Sequence, residues 1–222
     1  MLNSPGRVAL ACALSALAGY IDGIGFIHLG GLFVSFMSGN STRLGVSAAD
    51  ADWPGALEAL VLIVLFVIGA SAGSLIVLGR GIYRQALLLL VEAALLMAAA
   101  LCGGQGLAAP AIAAMVLAMG LENAAFQIDG GGGLGLTYVT GALVKVGQTV
   151  AVALRGGPRW SWLPNLLLWL ALVAGSTVGA VAYHWIGLEA VWFGAAAALA
   201  LSAIVAVRAR ARVTALTART SA

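Results

Sequence analysis

Five residues carry charge inside stretches that are otherwise apolar: Asp22, Arg43, Glu92, Glu122 and Lys145. A charge deep in a bilayer costs about 2.5–3.5 kcal/mol on insertion scales, so such residues pair with one another, face water, or handle protons and solutes. Asp22 stands in GYIDGIGFI (19 to 27) and Arg43 follows in FVSFMSGNSTRLG (33 to 45). The second half of the chain answers with Glu122 and Asn123 in GLENAAFQ and Lys145 in TYVTGALVKVGQ. Each half therefore holds an acid on an apolar helix and a base on a polar segment. Three arrangements fit these residues. Asp22 and Glu122 could pair with Arg43 and Lys145 as a structural lock, the groups could face a hydrated cavity and bind a proton or charged solute, or the bases could snorkel to the interface. Glu92 has no partner visible in the sequence, and a satisfied contact between helices is expected for it.

Ser38, Gly39 and Asn40 form the sharpest local feature. Glycine permits a break in the backbone, and serine, asparagine and threonine can cap a helix that begins inside the membrane. The exposed N–H groups of such a helix start suit an anionic group. A tight helix crossing that needs small residues is the plainer alternative. In the second half Thr140 and Gly141 fall on Ser38 and Gly39, while Ala142 falls on Asn40.

Other chemistry finds little support. His28 and His184 are single, and Cys12 and Cys102 lie in apolar runs without metal-type spacing, so no metal or cofactor is expected. No serine has a recognisable base, no paired acidic motif for metal and diphosphate occurs, and Gly130 to Gly133 lacks the strand and lysine of a nucleotide loop. The expectation is a protein that is not an enzyme. A net charge of +3 without a basic, aromatic-laced stripe makes nucleic acid an improbable partner.

The elements that position these residues follow from composition. The chain of 222 residues is 62% hydrophobic and 9% charged, with a mean hydropathy of +1.06. Globular domains hold about 25% charged residues. The lipid bilayer is thus the expected surrounding, and the fold class is an all-helical integral membrane protein. A span takes about 20 apolar residues. Stretches near 8–28, 56–79, 85–102, 107–128, 162–186 and 189–207 qualify. The first resembles a secretory signal, with Ala16-Leu17-Ala18 before Gly19, but apolar sequence continues past it and an uncleaved helix is expected.

Two further segments, 31–48 and 134–154, are apolar yet rich in glycine and hydroxyls. Six crossings, with these two entering and leaving on the same side, put Arg7, Arg80, Arg84, Arg155, Arg159 and the arginines after Val207 in the cytoplasm, with Asp50, Asp52 and Glu189 outside. Full crossing of both would reverse Arg80 and Arg84. A multi-pass membrane protein with both termini cytoplasmic is the expectation, with 208–222 a basic tail.

The two halves align. Gly19 falls on Gly120, Ser35 to Gly45 fall on Thr137 to Gly147, and the Gly69-xxx-Gly73 of one half answers Gly175-xxx-Gly179 of the other. Repeat one covers about 8–102 and repeat two about 107–207, within one transmembrane domain. Three crossings per repeat is odd, so the copies should lie inverted, with a working site where their broken segments meet. Small residues four apart suit close helix packing.

AGYIDGIGFI, FVSFMSGNSTRLG, FVIGASAG, GLENAAFQ and TYVTGALVKVGQ together resemble the YoaK-type family of bacterial membrane proteins, a domain of unknown function with six spans. The likeness runs from about Val8 to Val207. Ser38 stands where the family has the threonine of a TGN element, and Glu122 precedes Asn123 where glutamine is more familiar. The resemblance implies fold and membrane location and supplies no mechanism. The residues themselves suggest a transporter or channel for a small polar or anionic solute, its site formed by Asp22, Ser38, Gly39, Asn40, Arg43, Glu122, Asn123, Thr140, Gly141 and Lys145. The alternative is a scaffold in which polar groups only lock helices. A homo-oligomer is left open.

Overall fold

The computed structural model describes residues 5–125 and 139–220, and within them the regular structure is helical. The order is α1 (Pro5–His28), α2 (Met37–Ala49), α3 (Trp53–Leu78), α4 (Arg84–Gly104), α5 (Ala108–Glu122), α6 (Val139–Leu154), α7 (Leu163–Ile186), a 3-10 turn (Gly187–Ala190) and α8 (Val191–Thr220). The glycine run 130–133 and the start of the second polar segment, 134–138, lie outside the described residues.

Among the described residues five apolar helical runs are long enough to cross a bilayer, the last being Leu163–Ala211. That run holds two helices, because Gly187 takes a left-handed φ of 61° that ends α7 before the 3-10 turn opens α8. Proline in the first turn starts both α3 and α7, and Asp52 caps α3 by accepting from the Gly55 N–H at 3.2 Å. Helical spans therefore fall where the apolar stretches predict them. α5 ends at Glu122 and a 3-10 turn follows to Ala125, residues 126–128 of the expected stretch lying outside the described residues, and α8 continues through the arginine-rich segment to Thr220.

Side-chain contacts fix the helix directions. One buried cluster joins Leu14, Val77, Leu88, Leu121 and Val205. The other joins Ile24, Leu62, Leu96, Met115 and Val191, which come later in α1 and α4 and earlier in α3, α5 and α8 than their counterparts in the first. Thus α1 and α4 run one way, and α3, α5 and α8 the other. Three hydrogen bonds agree: Gln85 Nε2 donates to Ala125 O at 3.2 Å, Ser202 Oγ to Ala86 O at 2.7 Å, and Tyr20 Oη to Ala190 O at 2.8 Å.

Helix α7 runs with α1, since Ser15 Oγ donates to Leu168 O at 2.9 Å near one end and His28 Nδ1 meets Tyr183 Oη at 2.9 Å near the other. α2, at 13 residues or about 20 Å, is too short to span about 30 Å of hydrocarbon. It is held between the end of α1 and the start of α3, which share one end of the bundle. Trp53 and Trp160 consequently stand at opposite ends.

Glycine sets how closely two helix pairs approach. A Cβ on Gly175 would meet the Ala16 carbonyl, and one on Gly179 the Tyr20 carbonyl, while one on Gly19 would meet that of Leu172. Between α3 and α5 the same device recurs: Gly69 faces the Leu117 carbonyl, Gly73 that of Leu121, and Gly120 that of Phe66. Without hydrophobic drive between helices in lipid, such backbone-to-backbone packing holds spans together.

Gly175→Ala should therefore destabilise the protein in detergent by about 1–3 kcal/mol, as overpacking does. Gly147→Ala, in α6 with nothing near its would-be Cβ, should stabilise it by about 0.5–1 kcal/mol through helix propensity. Melting curves of both variants check the opposite signs.

Candidate functional site

The polar feature best defined by geometry is a return loop anchored on α1. After His28 the chain turns through Gly30 and Gly31, whose φ values of 60° and 110° glycine alone adopts freely, and folds back along α1. Asp22, buried on α1, receives it. Its Oδ1 accepts the backbone N–H groups of Val34 at 2.9 Å and Ser35 at 2.8 Å, and its Oδ2 accepts the Ser35 hydroxyl. Gly25 lies one turn on, where a Cβ would strike Val34, so its lack of a side chain lets the loop sit down.

Asn40, fully buried, closes the other end of the loop. Its Oδ1 accepts the Phe33 N–H at 2.9 Å and its Nδ2 donates to the Phe33 carbonyl at 2.7 Å, so one amide satisfies both backbone groups of a residue that has no helical partner. Phe33 packs against Phe26 and Phe36, and Gly39 makes room for the Phe33 and Phe36 rings. The expected capping role is corrected here. Phe36 is the cap position of α2, without a side-chain cap bond, and Ser38 is exposed, so the asparagine of SGN secures the loop before the helix.

Among the described residues no ion pair joins Asp22 or Glu122 to Arg43 or Lys145, the first of the three arrangements. Arg43 is exposed, Lys145 is half-buried, and Asp22 spends its oxygens on the loop. Thr140 is exposed and Gly141 buried at the start of α6, and neither is brought to Asp22 by any contact described. Asn123 is half-buried past the end of α5 and donates to Met119 O at 2.8 Å, a bond within its own helix. Residues 136 and 137, which would answer Val34 and Ser35, lie outside the described residues.

Sequence reasoning misjudged Glu92. It is 0% exposed on α4, and both of its carboxylate oxygens lack a hydrogen-bond partner, as does Oε1 of Glu122, 1% exposed at the end of α5. Glu92 lies one turn beyond Leu88 and Leu89 on α4, and those two share a buried cluster with Leu121, the residue before Glu122 on α5, so the two glutamates occupy the same α4–α5 seam. None of the lysines and arginines whose side chains are described is buried. Among the described residues the bundle interior therefore holds three carboxyls, one satisfied by a loop, one with neither oxygen partnered and one with a single oxygen unpartnered. Glu92's place beside Glu122 could not be foreseen, because it depends on how α4 packs on α5.

Fold and interior together define a multi-pass helical membrane protein with an acidic core. Residues 10–205 match the model of a family described as "Protein of unknown function (DUF1275)", and the chain belongs to that family. It is similar to the UPF0700 transmembrane protein RA0705 of Rhizobium meliloti (strain 1021), with 38% identity over 198 residues, 88% of this chain and 84% of that protein. No solved structure matches it.

Replacing the anchor tests the loop. Asp22→Ala leaves three donors without their acceptor and should cost about 1.5–3 kcal/mol for each hydrogen bond to the charged group that is not replaced by water. Asp22→Asn keeps one acceptor and should cost less. Asn40→Asp removes the donor to Phe33 O and should cost about as much as Asn40→Ala. Thermal melts rank the four variants, and protease cleavage at 29–36 should rise in the same order.

Proposed function

We propose that this protein is a membrane transporter or channel for a small polar solute, built from two inverted three-span repeats with the working site at their junction. The register of the glycine contacts supports the repeat. Shifting Ala16, Gly19 and Tyr20 by the offset that lays Gly19 on Gly120 gives Leu117, Gly120 and Leu121; shifting Leu172, Gly175 and Gly179 onto Phe66, Gly69 and Gly73 then reproduces three carbonyl contacts of the other pair, at Gly69, Gly73 and Gly120. The leading helix of each half packs on the second span of the other. Helix directions agree with inversion, since α1, α3 and α4 alternate in the opposite sense to α5, α7 and α8. Short polar helices α2 and α6 precede α3 and α7, towards opposite ends. Inverted repeats with broken elements at the junction are the plan of many secondary transporters.

The observation that carries the transport reading is the pair of buried glutamates with three unpartnered oxygens between them. A protein that needed only a lock would gain nothing from them, because an unpaired buried charge costs several kcal/mol. Their sign also moves the solute away from an anion. With the acids inside and Arg43 exposed, a neutral or cationic polar solute fits better than the anionic one. We also take the protein to be non-enzymatic, in an inner membrane, with both termini cytoplasmic.

A scaffold is the second reading, favoured by Asp22 and Asn40, whose bonds serve the fold. The two separate in a melting screen of the purified protein against small polar metabolites and inorganic cations. A transporter should show selective stabilisation, about 2.7 kcal/mol for a solute at a hundred times its dissociation constant. That gain should be lost in Glu92→Gln and Glu122→Gln. A scaffold should respond to none. Reporter tags at Trp53 and Trp160 should report opposite compartments; the same compartment for both would end the inverted-repeat proposal.

A further inference from the structure

We propose that Glu92 and Glu122 form a proton-binding pair, the coupling site of the transporter. This assigns the ion of the reading just given and rests on it. Two observations carry the assignment: both side chains are essentially without exposure, and three of their oxygens have no donor. Buried polar oxygens are almost always hydrogen-bonded, and exceptions mark strain, a bound group or a catalytic role.

Among the described residues, the polar groups on the packed helices whose bonds are given are committed elsewhere. From α1, which touches α5, comes Asp22, an acid already bound to Val34 and Ser35. From α3, packed on α5, come the Phe66 carbonyl and the backbone of Ala70 beside Gly120. From α8, packed on α4, comes Ser202, whose hydroxyl is committed to Ala86 O. Arg84, at the start of α4, directs Nη1 to Val77 O at 3.0 Å. No group of three or more His, Cys, Asp or Glu among the described residues could hold a metal ion. A proton is the ligand that needs no further oxygen from the protein.

Two neighbouring carboxyls also make a site for a single exchangeable charge, since repulsion disfavours both being ionised at once. In the binding step a hydronium ion gives its proton to one carboxylate oxygen, leaving a neutral carboxyl and a water. In release the proton returns to water, and no other bond forms or breaks. Rocking one repeat against the other would open the pair to each side in turn. Asp22 holds its loop throughout.

Infrared difference spectroscopy of the full chain in lipid vesicles, with bulk pH stepped, reads the proton directly. Wild type should show a protonated-carboxyl band that follows bulk pH and moves in heavy water. Glu92→Gln and Glu122→Gln should each remove part of it and shift the midpoint of the remaining glutamate by about one pH unit, because coupled sites titrate together. The double variant should lose it. A band that ignores bulk pH, is untouched by either substitution, or is displaced by sodium chloride would overturn the assignment. Should a variant fail to fold, the wild-type pH response and Glu92→Asp, expected to keep a titrating band at a new midpoint, still decide it. The two readings fail separately. A titrating pair in a protein that moves no solute counts against transport alone, whereas solute movement with a silent band counts against the proton site alone.

Discussion

Everything in this bundle is arranged around carboxyls that are inside while the cations are outside. Asp22, Glu92 and Glu122 are buried, whereas Arg7, Arg43, Arg80, Arg155, Arg159, Arg208 and Arg210 are exposed. Burying an ion costs several kcal/mol unless attraction and hydrogen bonds offset it. A chain that used acids and bases to lock its halves would bring them together, and here they are kept apart. The interior asymmetry of charge is what any account of the protein must explain.

The three acids solve that problem differently, and the difference comes from backbone. Asp22 lies where the chain folds back after α1, so N–H groups freed from helix bonding are at hand. Two of them and the Ser35 hydroxyl satisfy its oxygens, and the acid in turn satisfies them. Glu92 and Glu122 project from regular helix, where every nearby N–H is already committed to its own helix. A carboxyl in that setting finds no donor unless a side chain supplies one, and none described does.

Sequence revealed the spans because apolar length is a local property, and it revealed the glycine contacts because small residues four apart have few other uses in a span. The short polar helix α2 was legible for the same reason: its composition breaks the apolar pattern. What stayed hidden depended on side-chain direction. Arg43 follows Asn40 by three residues, yet one is exposed and the other buried. Pairing Arg43 with Asp22 assumed that a charge in an apolar segment must turn inward. Glu92 was hidden by the opposite assumption, that a buried acid must already have a partner. Asn40 was recognised as special, but its role as clamp on Phe33 required knowing that the loop precedes the helix and turns back on itself.

The glycine contacts bear on motion as well as on packing. Where α1 meets α7 and α3 meets α5, backbone lies against backbone, leaving no long side chains to interdigitate and resist sliding. Such pairs are stiff to separation because many atoms touch, yet each is confined to one leading helix and one span from the other half. A rearrangement of one half against the other must therefore either carry these pairs as units or break them. Carrying them is cheaper, which makes α1 with α7, and α3 with α5, the natural rigid bodies. The two pairs touch directly where α1 meets α5, and α8 joins them, packing on α1 and on α4. Glu92 lies on α4, which packs on both α5 and α8, so a change in its charge would be felt in the packing on both sides.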